Sequence, residues 1–311
     1  MILPDNIDIA VLVPCYNEEA AISNVVNDFR MALPAASIYV YDNNSSDGTI
    51  EAAQSSGAIV RTEPLQGKGN VVGRMFADVE ADVFVMVDGD DTYDASAAPM
   101  LVKKLLDENL DLVNGKRIHE DHEAYRTGHQ FGNTILTSLV AAIFGKRFDD
   151  MLSGYKVFSR RYAKSFPSLS SGFEIETELT VHALELRMPV AEVETNYGAR
   201  PEGSESKLST YTDGYRILKM IGKLIKEERP LQFFSVIFGI FAIVSVILMI
   251  PIITTYMATG LVPRFPTAIL AAGLMLMGFL SLACGLILDT VTRGRHELKR
   301  LQYLNVSRPR H

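Results

Sequence analysis

Cysteine is scarce in this chain, with only Cys15 and Cys284 among 311 residues. Two such widely spaced positions make neither a disulfide framework nor a zinc site, and they are compatible with a reducing cytoplasm. A basic excess is also missing. Lys and Arg number 30 against 37 Asp and Glu, for a formal net charge of −7. That balance argues against a nucleic-acid-binding protein, whose footprint is basic. No internal repeat or low-complexity tract is present. The stretch Met1–Pro14 lacks a basic segment followed by a long apolar run, so no cleavable signal peptide is expected. Tryptophan is absent altogether.

Charge is missing from two long stretches, Leu231–Met257 and Pro266–Leu288. Each exceeds the ~20 residues that a helix needs to cross a bilayer core. Two such runs in succession, each beside a basic flank, are not the pattern of buried core helices. They predict a transmembrane hairpin turning through Ala258–Phe265, and packing against neighbours tolerates a kink at Pro251. Arg216, Lys219, Lys223, Lys226 and Arg229 precede the first span. Arg293, Arg295, Lys299 and Arg300 follow the second, and only Arg264 lies between the spans. The positive-inside rule then puts both termini, and the soluble part, on the cytoplasmic side of the inner membrane. Between Lys207 and Arg229, Ile217, Leu218, Ile221, Leu224 and Ile225 share one helical face, with Lys219, Lys223 and Lys226 opposite. Such an amphipathic helix lies along an anionic membrane surface or packs on the globular part; both readings stay open.

The remainder reads as an α/β domain. Apolar strand candidates at Ile7–Val13, Ile38–Tyr41, Ala58–Arg61, Val83–Val87 and Leu110–Val113 alternate with helical patterns at Glu18–Met31, Thr49–Ser55, Gly69–Glu80 and Ala97–Glu108. This alternation predicts a mainly parallel sheet covered by helices, with ligands beyond the C-terminal strand ends. Polar clusters sit at those ends: Pro14–Glu18, Asp42–Asp47 and Asp88–Asp91.

The strongest chemical signal is Asp88-Gly89-Asp90. Two carboxylates on one turn suit a hard cation, Mg²⁺ or Mn²⁺, with positions left for diphosphate oxygens. Pro14-Cys15-Tyr16-Asn17-Glu18, Asn43-Asn44-Ser45-Ser46-Asp47-Gly48-Thr49 and Gly67-Lys68-Gly69 follow the first three strands. In a doubly wound sheet these loops converge on a nucleotide pocket, to which Asn44 and Lys68 would belong. Asp42 is placed to accept hydrogen bonds from a ribose or base. Gly67-x-Gly69-x-x-x-Gly73 has one residue too many for a dinucleotide fingerprint and reads as a loop and helix start. His119–Glu123 reads as a solvated loop. Phe173–Glu178 starts a helix whose acids favour its N-terminus, and Glu176 is taken as such a charge.

With P-C-Y-N-E, D-N-N-S-S-D-G-T and D-G-D in this order and spacing, the chain resembles glycosyltransferase family 2 with its GT-A, Rossmann-like nucleotide-sugar-binding fold. Asp150-Met151-Leu152-Ser153-Gly154 is similar to the family's D-x-x-S-G segment. The resemblance spans about residues 8–210. With the paired spans it is nearest to the polyprenyl-phosphate glycosyltransferases, such as the dolichol-phosphate mannose synthases and bactoprenol glucosyltransferases. It implies that Pro14, Tyr16, Glu18 and Asp42 contact the nucleotide and that Asp88, Gly89 and Asp90 handle donor and metal. Thr92 stands where dolichol-phosphate mannose synthases usually carry Gln, so the donor sugar does not carry over; Asp91 is an extra candidate metal ligand. The missing tryptophan removes the Q-x-x-R-W motif of processive members. Arg117 and Arg126 lie where the family places acceptor-phosphate arginines, whose planar fork matches phosphate oxygens. Ser153 joins that acceptor set. Arg200–Lys207 (R-P-E-G-S-E-S-K) resembles a segment that closes over the diphosphate, with Lys207 as a donor contact.

The resulting division is a GT-A catalytic domain at 1–206, a juxtamembrane helix at 207–230, two spans within 231–292 and a basic tail at 293–311. The expected reaction is inverting, metal-dependent transfer of a sugar from a UDP- or GDP-linked donor to a polyprenyl phosphate. Asp90, Asp150, Arg117 and Arg126 are the candidate catalytic residues. A phosphate acceptor, with a second pKa of about 6, needs no general base, so Asp150 is either a base or an orienting group for an arginine. Two alternatives stand beside this: transfer to another lipid or a membrane-bound glycan, and a non-catalytic nucleotide-sugar-binding scaffold. The hairpin also offers a surface for a homo-oligomer. No nucleic-acid partner is expected.

Overall fold

A computed structural model describes residues 7–119, 137–138, 140–141, 144–172, 174–200, 219 and 222–307. It separates into two compact units, Met1–Ile217 with Lys299–His311, and Leu218–Leu298.

The first unit is built on seven strands: β1 (Ile9–Cys15), β2 (Ser37–Asp42), β3 (Ile59–Thr62), β4 (Val83–Met86), β5 (Leu112–His119), β6 (Lys156–Ser159) and β7 (Val190–Tyr197). They form one mixed sheet in the order β3-β2-β1-β4-β6-β5-β7. Its helices are α1 (Ile22–Ala32), α2 (Thr49–Ser55), α3 (Lys68–Asp78), α4 (Ala98–Asp107), α5 (Arg160–Ser165) and α6 (Ile175–Glu185). β1 and β4 are buried along almost their whole length. They read as unbroken apolar runs because both sheet faces are covered. In α1, Ile22, Val25, Val26 and Phe29 supply the buried stripe, the 3.6-residue spacing that lays a helix on a sheet. Around α3 and α5, Phe76 meets Phe84, Phe158 and Phe166 edge to face.

The first five strands fall where the apolar runs predict them, and β1, β2, β3 and β4 pair in parallel. β6 departs from that rule, running antiparallel to both β4 and β5. The consequence is functional. The loop before β6 is delivered to the same sheet edge as the C-terminal ends of β1, β2, β4 and β5.

The second unit contains α7 (Pro230–Thr259) and most of α8 (Phe265–Asn305). Both helices are long and apolar enough to cross a membrane, with mean hydropathy reaching 3.0 and 2.2. Val236, Ile240, Ile247 and Leu276 are exposed, the reverse of a water-soluble core. The two helices meet through small residues: Gly278 lies beside Phe238 and Phe241, and Gly285 beside Phe234. Ser245 and Ser281 donate across to Ala271 O and Phe234 O at 2.7 and 3.2 Å. α8 continues well past Leu288, through the basic residues expected to form a tail. Loss of hydropathy marks the end of an apolar span but leaves the helical hydrogen bonds intact. The expected helix at 207–230 lies largely outside the described residues; residues 222–228 are helical.

The end of α8 belongs to the first unit. Lys299 pairs with Glu185 at 2.6 Å, and Arg300 donates to Leu186 O at 2.7 Å. Tyr303 donates to Asp111 at 2.7 Å and lies under the Arg161 guanidinium.

Gly67 and Gly69 flank the start of α3 where the chain presses on the loop before α6. A Cβ on either would overlap the carbonyl oxygen of Ser171 or Ser170. Gly69→Ala should therefore cost about 1–3 kcal/mol of stability. In contrast, Gly294→Ala, with open space around its Cβ in a helix, should be neutral or stabilising. Thermal melts of the two variants check this.

Candidate active site

The loops after β1 and β2 are stitched to each other before any ligand is considered. The Asn17 amide donates to Ser45 Oγ at 2.8 Å, and Asn17 Oδ1 accepts from the Ser46 amide at 2.8 Å. The Glu18 amide donates to Thr49 Oγ1 at 2.9 Å. Asp42 ends β2 opposite Cys15 of β1. Its Oδ2 accepts from the Ser45 amide at 3.1 Å, whereas the buried Oδ1 has no partner among the described residues. A buried carboxylate oxygen without a donor costs free energy, so it suits an N–H or O–H brought by a ligand. Pro14 is partly exposed, and Tyr16 is 38% exposed beside it. Asn44, expected on the donor, spends its amide on Pro64 O and Gln66 Oε1 at 3.0 and 3.1 Å. It secures the loop into α3 instead.

β4 runs into the D-G-D turn. Gly89 backs onto Cys15, whose sulfur would lie 2.6 Å from an added Cβ. Lys68, the first residue of α3, donates to Asp88 Oδ1 and Glu176 Oε1, each at 2.5 Å. Asp90 is buried; it accepts from Thr92 Oγ1 at 2.6 Å and pairs with Arg200 at 2.6 Å. Burial, then the charge of Asp88, push the Asp90 carboxyl up, against the opposing pull of Arg200 and Thr92. A buried carboxylate pushed up beside a second hard oxygen donor is a site that a divalent cation relieves. Space is reserved there too, because a Cβ at Gly154 would collide with the Asp88 carboxylate. The residues therefore fit Mn²⁺ or Mg²⁺ through Asp88 and Asp90. Asp91, the further candidate ligand, is turned toward α1. Its φ is +58°, and its carboxylate accepts from Asn24 of α1 at 3.2 Å.

On the other side of the sheet edge stands Arg117 of β5. Its Nε and Nη2 donate to the two oxygens of Asp150 at 2.7 and 2.8 Å, and its amide to Oδ2 at 3.2 Å. Burial alone would raise the Asp150 carboxyl, but the hydrogen bonds and charge of Arg117 hold it below the usual range. Tyr197 lies 5.6 Å from the guanidinium. Ser153, expected on the acceptor phosphate, is instead fully buried. It donates to Gly115 O at 2.5 Å and pins the loop before β6 to β5. Arg126 and Lys207 lie outside the described residues.

A polar scaffold that the motifs did not reveal supports Asp150. Glu192 accepts from the amides of Asp149 and Asp150 at 2.8 and 3.1 Å. Asn114 donates to Asp150 O and Glu192 at 2.8 and 2.9 Å. Lys156, wholly buried, donates to Asn114 Oδ1 at 2.5 Å. Burial pushes its ammonium down to about 8. Only a charged residue inside the apolar stretch Y-K-V-F signalled this in the sequence. Glu176, read as a helix-terminal charge, is brought instead to Lys68.

A model of glycosyl transferase family 2 matches residues 10–166, from β1 through α5. The chain belongs to glycosyl transferase family 2. Glycosyltransferase AglJ of Haloferax volcanii is 34% identical over 229 residues, 73% of this chain and 75% of its own. A dolichyl-phosphate hexose transferase of the same organism is 29% identical over 222 residues, 71% of this chain and 96% of the relative. Among solved structures, glucosyl-3-phosphoglycerate synthase from Mycobacterium tuberculosis, in complex with Mn²⁺, UDP and glucosyl-3-phosphoglycerate, aligns with a TM-score of 0.57 at 26% identity. That match covers 71% of this chain and 80% of the synthase.

Two pH-dependent outcomes follow. Asp150→Asn removes the carboxylate charge held against the Arg117 guanidinium and should destabilise the fold by about 3 kcal/mol at neutral pH. The Asp150 carboxyl is depressed in the folded state. Its stabilisation is therefore full above the ordinary aspartate value of about 3.9 and is lost as pH falls through the folded value. The melting gap between wild type and variant should close in that acidic window. Lys156 gives a slope of the same sign in an alkaline window. Between about 8 and its ordinary 10.5 the unfolded chain holds a proton that the folded chain has released, so stability rises with pH there. Lys156→Met should remove that rise, as melts across the window would show.

Proposed function

We propose that this family 2 glycosyltransferase transfers a sugar from a UDP- or GDP-linked donor to a polyprenyl phosphate at the cytoplasmic face of the membrane, with inversion at the anomeric carbon. The observation carrying this reading is the state of Asp150. Both of its oxygens hold Arg117, and its proton affinity is depressed. A carboxylate so engaged is poorly suited to deprotonate a sugar hydroxyl. It is well suited to fix a guanidinium that receives an acceptor already ionised, as a phosphate monoester is near neutral pH. Two helices apolar enough to cross a membrane and the similarity to a dolichyl-phosphate hexose transferase support a lipid on that phosphate.

On this reading the acceptor phosphate oxygen attacks the anomeric carbon. The bond from that carbon to the donor diphosphate breaks, and its electron pair departs with the diphosphate. Asp88 and Asp90 would hold the divalent cation, which would supply Lewis-acid stabilisation of the leaving diphosphate. Arg117, oriented by Asp150, sets the phosphate in line, so the chain contributes positioning and preorganised charge rather than proton transfer. Asp42, with one buried oxygen unpartnered among the described residues, accepts from the nucleotide.

The test is transfer from a panel of radiolabelled nucleotide sugars to undecaprenyl phosphate by the purified full chain with Mn²⁺ or Mg²⁺. Label should enter the organic phase with one donor. It should fall at least about 100-fold in Asp90→Asn and about tenfold or more in Arg117→Lys, which loses the bidentate fork. Donor binding with no lipid product from any sugar would sink the polyprenyl-phosphate reading.

A further inference from the structure

The pairing of Lys68 with two carboxylates has no place in the reaction just described. Lys68 Nζ lies 2.5 Å from Asp88 Oδ1 and 2.5 Å from Glu176 Oε1, with the lysine side chain 11% exposed and that of Glu176 8% exposed. The ammonium thus sits between two carboxylates, shielded from solvent.

Its position is fixed from several sides. Gly67 and Gly69 let the backbone on either side of Lys68 press against Ser170 and Ser171, and the Gly69 amide donates to Ser171 O at 3.1 Å. The loop carrying those serines is gripped by Glu178, which accepts from the Leu169 and Ser170 amides, both at 2.8 Å. Thr180 donates to Glu176 O at 3.0 Å inside α6. Lys68 is thus held midway between a carboxylate of the D-G-D turn and one that belongs to no part of the donor or acceptor site.

We propose that Glu176 is a positioning residue that sets the affinity of the Asp88–Asp90 pair for its divalent cation, by drawing off part of the Lys68 charge. The inference rests on the metal reading above. With Glu176 ionised, the group Asp88, Lys68 and Glu176 carries one net negative charge. Asp88 shares its ammonium and keeps electron density for a metal. Without that charge, Lys68 neutralises Asp88 alone, and an incoming dication must displace or face an unshared ammonium. Lys156, the other buried cation whose proton affinity Glu176 raises, is tied to Asn114 and is not free to substitute. Outer partners that orient a metal-binding carboxylate commonly change metal affinity by about 10–100-fold.

The experiment titrates Mn²⁺ into the purified full chain with UDP present and reads free Mn²⁺ by its electron paramagnetic resonance signal. Glu176→Gln, which keeps volume and an oxygen for Lys68, should raise the Mn²⁺ dissociation constant about tenfold. Glu176→Met, which removes the charge by a different chemistry, should agree. In a Lys68→Met background the same substitutions should change the constant by less than about threefold, because no ammonium remains to be shared. An unchanged constant in Glu176→Gln, disagreement between the two variants, or equal weakening with and without Lys68 would overturn the inference. Wild-type Mn²⁺ binding in Asp90→Asn would overturn the metal reading beneath it, separating the two failures.

Discussion

Everything at this site depends on holding carboxylates out of water along one edge of a sheet. Asp42, Asp88, Asp90 and Asp150 all sit where strands end or loops return, and taking charge out of water is costly unless it is paired. Cations from separate parts of the chain meet that cost: Lys68 from the start of α3, Arg117 from β5, and Arg200 from just beyond β7. No two of these lie close in sequence. The acidic edge is consequently coherent only when the whole sheet has assembled. The charge balance is also uneven. Asp150 is locked to one arginine by three hydrogen bonds, whereas Asp88 shares its lysine. The first arrangement suits a fixed anchor, the second a ligand that must change partners.

Topology explains how both arrangements come to lie on one edge. A purely parallel sheet would bring only strand C-termini there. Because β6 runs against its neighbours, the D-M-L-S-G segment enters the edge from the start of a strand, between β4 and β5. Ser153 is then spent on Gly115 O, holding the segment down while Asp150 reaches Arg117. The small residues in these motifs have the same logic. Gly67, Gly69 and Gly154 stand where any side chain would strike a backbone carbonyl or a carboxylate, so they are read as shape rather than as flexibility.

The first half of the fold was legible because its strands are continuous apolar runs and its helices carry clean 3.6-residue stripes. Both periods survive without tertiary information. The apolar hairpin was legible for the plainer reason of length. The direction of β6 was not, since a four-residue strand has the same pattern whichever way it runs. Motifs identified Asp88, Asp90, Arg117 and Asp150, but side-chain identity does not tell what a side chain faces. Asn44 and Ser153 proved to be spent on backbone carbonyls, and Asp91 on Asn24. Glu176 and Lys156 carry charges whose partners lie far away in sequence, at Lys68 and Asn114. No local pattern encodes such pairs, and Glu176 looked like an ordinary acid in the first turn of a helix.

The closing turns of α8 bear on how the molecule is made. Asp111 is buried, the side chain of Glu185 is shielded from solvent, and the two are met by Tyr303 and Lys299. Those partners leave the ribosome after both apolar helices have been synthesised. The catalytic unit therefore finishes its charge pairing late, once the hairpin has emerged. A chain stalled or cut before Lys299 would carry the complete sheet and every motif, yet lack the contacts that Lys299 and Tyr303 bring to Glu185 and Asp111.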